Sequence, residues 1–254
     1  MRKALLCAGF LLASAVGAGD AFAVEINVLS AGAVQEAEKA LAEDFREATG
    51  NKVNFTVGTV GQIQEKLKSG APADVIVVST TALEQLEKTG EIRSKSGTSL
   101  GRIGIGVGVK EGAPTPDIST AEKFKEAILR AKSLTYMDPA QGASSGIATA
   151  KILRDLGIAE DVAKKTKLTQ SGYSADRVAS GEVELAIQNV SEIVPVKGVK
   201  LAGMLPAPLQ VYTTYAAGVA TKSISPKEAT DFIRFLARAE AAGRWKEAGI
   251  EPAH

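Results

Sequence analysis

The 254-residue chain is 45% hydrophobic and 23% charged, with a formal net charge of +1. That balance excludes the basic footprint of a nucleic-acid partner or a polybasic membrane surface. Its one cysteine, Cys7, and one histidine, His254, lie near the ends. They leave no disulfide, no thiolate or histidine metal site and no Ser-His-Asp triad for the body of the chain, so no metal or cofactor is expected.

The chain starts as an export leader would. Arg2 and Lys3 precede an uncharged apolar run over 4–16, and Ala21-Phe22-Ala23 is an A-x-A cleavage pattern. The run is shorter than the ~20 apolar residues of a membrane span. Cleavage after Ala23 is therefore expected, with the mature protein in the periplasm. It removes Cys7, Arg2, Lys3 and Asp20, taking Lys+Arg from 30 to 28 and Asp+Glu from 29 to 28. The mature chain is then neutral and free of cysteine, as suits an oxidising compartment.

Strand and helix patterns alternate from there. The spacing predicts a strand over 26–29, then a helix carrying Val34, Ala37, Leu41, Phe45 and Ala48 and stopped by Gly50. A strand over 53–57, a helix over 62–68, a buried parallel strand over 74–78 and a helix over 81–88 follow. The middle reads as a Gly-interleaved strand over 103–109 and a Ser119/Glu122 capping box. Phe124, Ala127, Ile128 and Ala131 form the apolar face of the helix behind it. A strand over 134–137, a loop over 138–145, a helix to Leu156, a short helix over 174–180 and a strand over 184–188 continue the rhythm. A strand over 211–219 precedes a helix started by Ser225-Pro226-Lys227-Glu228, with Ala229, Phe232, Ile233 and Leu236 facing a core. The pattern implies an α/β fold of parallel-rich sheets flanked by helices, with ligands beyond the carboxyl ends of the strands.

Four loops at such ends are rich in small and hydroxyl residues: 30–33 (Ser30, Gly32, Ala33), 58–61 (Thr59, Val60, Gly61), 79–81 (Ser79, Thr80) and 141–146 (Ser144, Ser145, Gly146). Helix starts carry N–H groups without intrahelical acceptors and the positive end of the helix dipole, which together favour an anion. Plain N-capping by Ser and Thr is the alternative reading. The run 104–108 lacks the third glycine of a dinucleotide fingerprint and reads as a twisted strand. Trp245, Tyr212 and Tyr215 read as packing residues.

The order of these pieces resembles the periplasmic molybdate-binding protein family of ABC importers. The likeness is carried by Phe55-Thr56-Val57-Gly58, Lys68-Ser69-Gly70-Ala71-Pro72-Ala73-Asp74-Val75, the helix from Pro226 to Leu236, and Trp245-Lys246-Glu247-Ala248-Gly249-Ile250. It implies a two-lobed periplasmic binding protein fold, type II-like, with one lobe formed by 24–102 and 210–254 and the other by 103–209. The chain would cross twice, clamp a small anion in the cleft as a monomer, and deliver it to an ABC permease in the inner membrane.

This chain departs from the family at Ala33, at Thr59, Val60 and Gly61, and after Ser79, where serines or an aspartate are usual, and at Asn189, where a tyrosine is usual. With Gln188, Asn189 and Glu192, the stretch 186–192 resembles a divergent branch that includes aconitate isomerase. A molybdate-like oxyanion and an organic polycarboxylate are thus both candidate ligands. Were the chain an isomerase, its base would have to be a carboxylate, a lysine or a tyrosine, and Glu192, Asp138 and Tyr173 lie in or beside the candidate loops.

Overall fold

The computed structural model describes residues 23–253. Most of the expected leader, with Cys7, and His254 lie outside them. From the first strand the elements run β1 (Glu25–Ala31), α1 (Gln35–Thr49), β2 (Lys52–Gly58), α2 (Val60–Lys68), β3 (Val75–Ser79), α3 (Thr80–Lys88) and β4 (Thr98–Lys110). Then come α4 (Ala121–Arg130), β5 (Leu134–Met137), α5 (Ser144–Asp155), α6 (Ala159–Ala163), β6 (Thr166–Thr169), α7 (Ala175–Ala179) and β7 (Leu185–Asn189). The chain closes with β8 (Val199–Met204), β9 (Tyr212–Val219), α8 (Pro226–Ala237), α9 (Ala242–Glu247) and β10 (Glu251–Pro252).

This is an α/β fold built on a mixed sheet ordered β2-β1-β3-β9-β4-β7-β5-β6, with β10 and β8 also on β4. The outer pairs, β1 with β2 and β3, and β5 with β6 and β7, are parallel as alternation predicts. The centre is antiparallel, because β9 returns against both β3 and β4. Strand β4 is longer than the expected 103–109 and changes partners along its length. Residues 98–104 pair with β9, and 105–109 with β7. At the changeover the Gln210 amide grips both backbone groups of Ile105, accepting from its N–H at 2.8 Å and donating to its carbonyl at 2.9 Å.

Apolar cores sit on both sides of that changeover. One gathers Ile26, Leu41, Phe45, Phe232 and Trp245 from β1, α1, α8 and α9. Another gathers Val107, Phe124, Ile128, Leu153 and Ile187 from β4, α4, α5 and β7. Asp74, buried before β3, accepts from Asn27 N at 2.9 Å, Ser223 Oγ at 2.7 Å, Ile224 N at 3.2 Å and Ser225 N at 3.3 Å, tying the entry of α8 to the first strands.

Local differences from the sequence reading have local causes. The cap of α4 is Thr120, whose hydroxyl accepts from Lys123 N, because Asp117 engages both the N–H and the hydroxyl of Ser119. Helix α2 begins two residues early at Val60, since Thr59 and Gln62 form a reciprocal capping box. The short strands β6 and β8 carry no clear alternation and escaped the sequence reading.

Candidate functional site

A cavity of about 280 Å³ opens where the loops after β1, β2, β5 and β7 meet. Gly32 and Ala33 come from the turn before α1, Thr59 and Val60 from the start of α2, and Ser144 and Ser145 from the start of α5. Three helix starts, with the positive ends of their dipoles, thus border one space, although Gln35 N is bonded to Gly32, Gly61 N to Gly142 and Gln62 N to Thr59. The far wall holds Tyr173, Asn189, Glu192 and Tyr215. Among the described residues lining the cavity there is no lysine, arginine or histidine.

The cavity is closed over by bonds between the two sides of the molecule. Thr59 Oγ1 donates to the carbonyl of Gln141, and Gly61 N donates to the carbonyl of Gly142 at 3.3 Å. Gln62 Nε2 reaches Gln141 Oε1 at 3.2 Å. The Tyr173 hydroxyl accepts from Gln35 Nε2 and donates to Glu36 Oε1 at 3.2 Å. Gly61 and Gly142 are back to back: a Cβ on Gly61 would stand 2.8 Å from the Gln141 oxygen and 3.0 Å from Gly142 Cα.

Glu192 is the one carboxyl in the wall. It is buried, receives Asn189 Nδ2 on Oε2 at 2.9 Å, and turns Oε1 toward the backbone of Gly32, where a Cβ would stand 3.7 Å away. Burial pushes its pKa up to about 7, against the downward pull of the Asn189 and Gln188 amides. The Tyr215 hydroxyl shares a 2.8 Å hydrogen bond with Ser144, and burial followed by the Glu192 charge raises its pKa. Tyr173 is raised by burial and then by Glu36.

The remaining expected residues lie elsewhere. Ser30 is fully buried under the cavity, its hydroxyl donating to Glu38 Oε2. Glu38 is also fully buried, and burial lifts it to about 8. Gly61 packs on Gly142 as described. Gly146 supports α5 against β5, since a Cβ there would meet Met137 O at 2.2 Å. Gln188 is buried and accepts from Ala175 N at 3.3 Å. Ser79 and Thr80 cap and begin α3 beside an open groove with Ile147 and Tyr212, which meets the cavity at Ser144. Asp138 caps the turn at Pro139–Gln141, accepting from Ala140 N at 2.9 Å and Gln170 Nε2 at 2.9 Å.

Sequence reasoning missed two groups. Tyr215 was read as packing, and it is, but its hydroxyl also reaches the cavity. Glu38 escaped notice although it falls one turn after Val34 on the apolar face of α1, where a carboxylate is out of place.

The model of the family described as "Bacterial extracellular solute-binding protein" matches residues 26–251. An aconitate isomerase of Pseudomonas sp is 30% identical over 233 residues, covering 89% of this chain and 87% of that protein. The molybdate-binding protein ModA of Azotobacter vinelandii is 32% identical over 197 residues, 72% of this chain and 73% of that one. In structure, the Azotobacter vinelandii periplasmic molybdate-binding protein aligns with a TM-score of 0.74 at 19% identity, covering 89% of this chain and 98% of that one. No described helix is long and apolar enough to cross a membrane.

Proposed function

The chain belongs to the bacterial extracellular solute-binding protein family, and from that premise we propose that its cleft closes on a small polycarboxylate or comparable anion. The observation that carries the reading is the cavity itself: three helix starts and several hydroxyls converge on it, and no cationic side chain lines it. Neutral N–H and O–H donors with aligned dipoles are the chemistry that holds a desolvated anion. The space, about 280 Å³, has room for a small anion.

The bonds across the cleft support a reading in which it closes on its ligand. The lobes are 24–102 with 210–254, and 103–209, hinged where β4 and the segment before β9 cross. The protein works in the periplasm after loss of residues 1–23, as a monomer that hands its ligand to an ABC permease in the inner membrane.

A second reading, an isomerase moving a proton within an unsaturated tricarboxylate, is favoured by the relative of that activity at 30% identity over 89% of the chain. Of the three candidate bases only Glu192 suits the role. Asp138 is engaged in its turn outside the cavity lining, and Tyr173 is held protonated between Gln35 and Glu36.

One screen tests both readings. Protein stripped of bound ligand is heated with molybdate, sulfate, citrate, cis-aconitate and trans-aconitate, and each aconitate is recovered after long incubation. A binding site predicts stabilisation by about 2.7 kcal/mol when ligand stands at 100 times its Kd. A flat response to all of these anions overturns the anion reading. Interconversion of the two aconitates makes the chain an isomerase, and recovery of both unchanged keeps it a binding protein.

A further inference from the structure

Resting on the anion-binding reading, we propose that Glu192 is the specificity-determining group of the cleft: it takes up a proton as the ligand binds and donates it in a hydrogen bond to a ligand carboxylate. The geometry requires a resolution of this kind. Glu192 is buried in the wall of the cavity that the ligand would fill, with Oε2 engaged by Asn189 and Oε1 facing the Gly32 turn. An anion held by three helix starts would sit against this carboxyl, and two carboxylates in one dry site cannot both stay ionised.

Among the described residues, no lysine, arginine or histidine lines the cavity to relieve the conflict. The 32–34 turn brings no titratable group, and β4, which also packs on this segment, has Arg102 paired with Glu251 at 2.7 Å. On α9, Arg244 is turned to Asp44 at 3.0 Å. The groups facing Glu192 are the hydroxyls of Tyr173 and Tyr215, both held in the protonated form, with Glu36 behind Tyr173. The free carboxyl already titrates at about 7, so adding a proton near neutrality costs little.

The step balances simply: one proton from solvent joins the Glu192 carboxylate, and the O–H then points at a ligand oxygen. A carboxylate is a good acceptor for that proton because its own conjugate acid is weak. Such O–H···O⁻ bonds are short and strong. Sulfate, as the conjugate base of a stronger acid, accepts it less well. The site therefore selects organic polycarboxylates over sulfate.

The test uses the full chain, stripped of ligand, with trans-aconitate and citrate as probes and sulfate as control. Titration calorimetry at pH 7.8 in two buffers of different ionisation enthalpy should report uptake of up to one proton per bound anion. Above pH 7, where the probes are fully ionised, affinity should fall by about tenfold per pH unit. Glu192→Gln keeps a donor at this place without the proton and should bind with no such slope. Binding at pH 6 together with neither proton uptake at pH 7.8 nor a slope above pH 7 in the wild type overturns the role of Glu192. A slope that persists in Glu192→Gln does the same and moves the linkage to another group. Failure of every probe to bind at pH 6 overturns the anion reading instead.

Discussion

Glu38 and Glu192 are both buried carboxyls beside the same ring of loops, and burial raises both, to about 8 and about 7. Glu38 lies on α1 beneath the cavity, with only the Ser30 hydroxyl for a partner and Oε1 without one. Glu192 lies in the cavity wall, held by an amide and facing open space. The same desolvation thus yields a group that can only burden the fold in one place and a group that can meet a ligand in the other. Burial and a raised pKa alone do not mark a functional carboxyl; access to the cavity does.

The largest expected effect breaks the pair apart. A carboxyl whose folded pKa is about 8 against an ordinary 4.5 binds more protons folded than unfolded. Its contribution is therefore fully present below pH 4.5 and is lost as pH rises through 8. The loss is at most about 5 kcal/mol across that window. Glu38→Gln should make this slope shallower, seen as a smaller gap between the urea midpoints at pH 5 and pH 8, with the part that Glu192 contributes still present, while leaving the pH dependence of ligand binding in place.

A smaller effect separates the cleft from the fold. Gly61→Ala adds a methyl 2.8 Å from the Gln141 oxygen and so obstructs closure, at about 1–3 kcal/mol or roughly 5- to 150-fold in affinity. On α2 itself the change improves a helix position by up to ~1 kcal/mol. Calorimetry and thermal melts should therefore move in opposite directions.

The smallest effect tests the neutral donors one at a time. Ser144→Ala removes one hydroxyl and its 2.8 Å bond to Tyr215, worth about 0.5–1.5 kcal/mol, or roughly 2- to 13-fold in affinity. Its pH slope should equal that of the wild type, because Glu192 is untouched.

Much of this layout was legible in the sequence, and the limits have physical causes. Helices α1, α5 and α8 announce themselves through apolar spacing and small-residue starts, and the turns at Gly32, Thr59 and Ser144 were marked by composition alone. Their convergence was not, since nothing local in a loop states which other loop it meets. The antiparallel β9 was hidden for the same reason: strand direction is decided by the partner, not by the strand. Ser79 and Thr80 resemble the cavity loops in composition, yet α3 opens onto a different groove. Glu192 was chosen from its place beside a candidate loop, but only the fold reveals that it is buried and which amide holds it.

The central claim is that this cleft holds a small anion with neutral donors and one carboxyl. Its most direct measurement is a calorimetric titration of the stripped protein with trans-aconitate at pH 6, beside Gly61→Ala under the same conditions. The account predicts one saturable site per chain, weakened in the variant. Equal affinity in the two proteins, or no binding of trans-aconitate, citrate, sulfate or molybdate to the wild type, would contradict it.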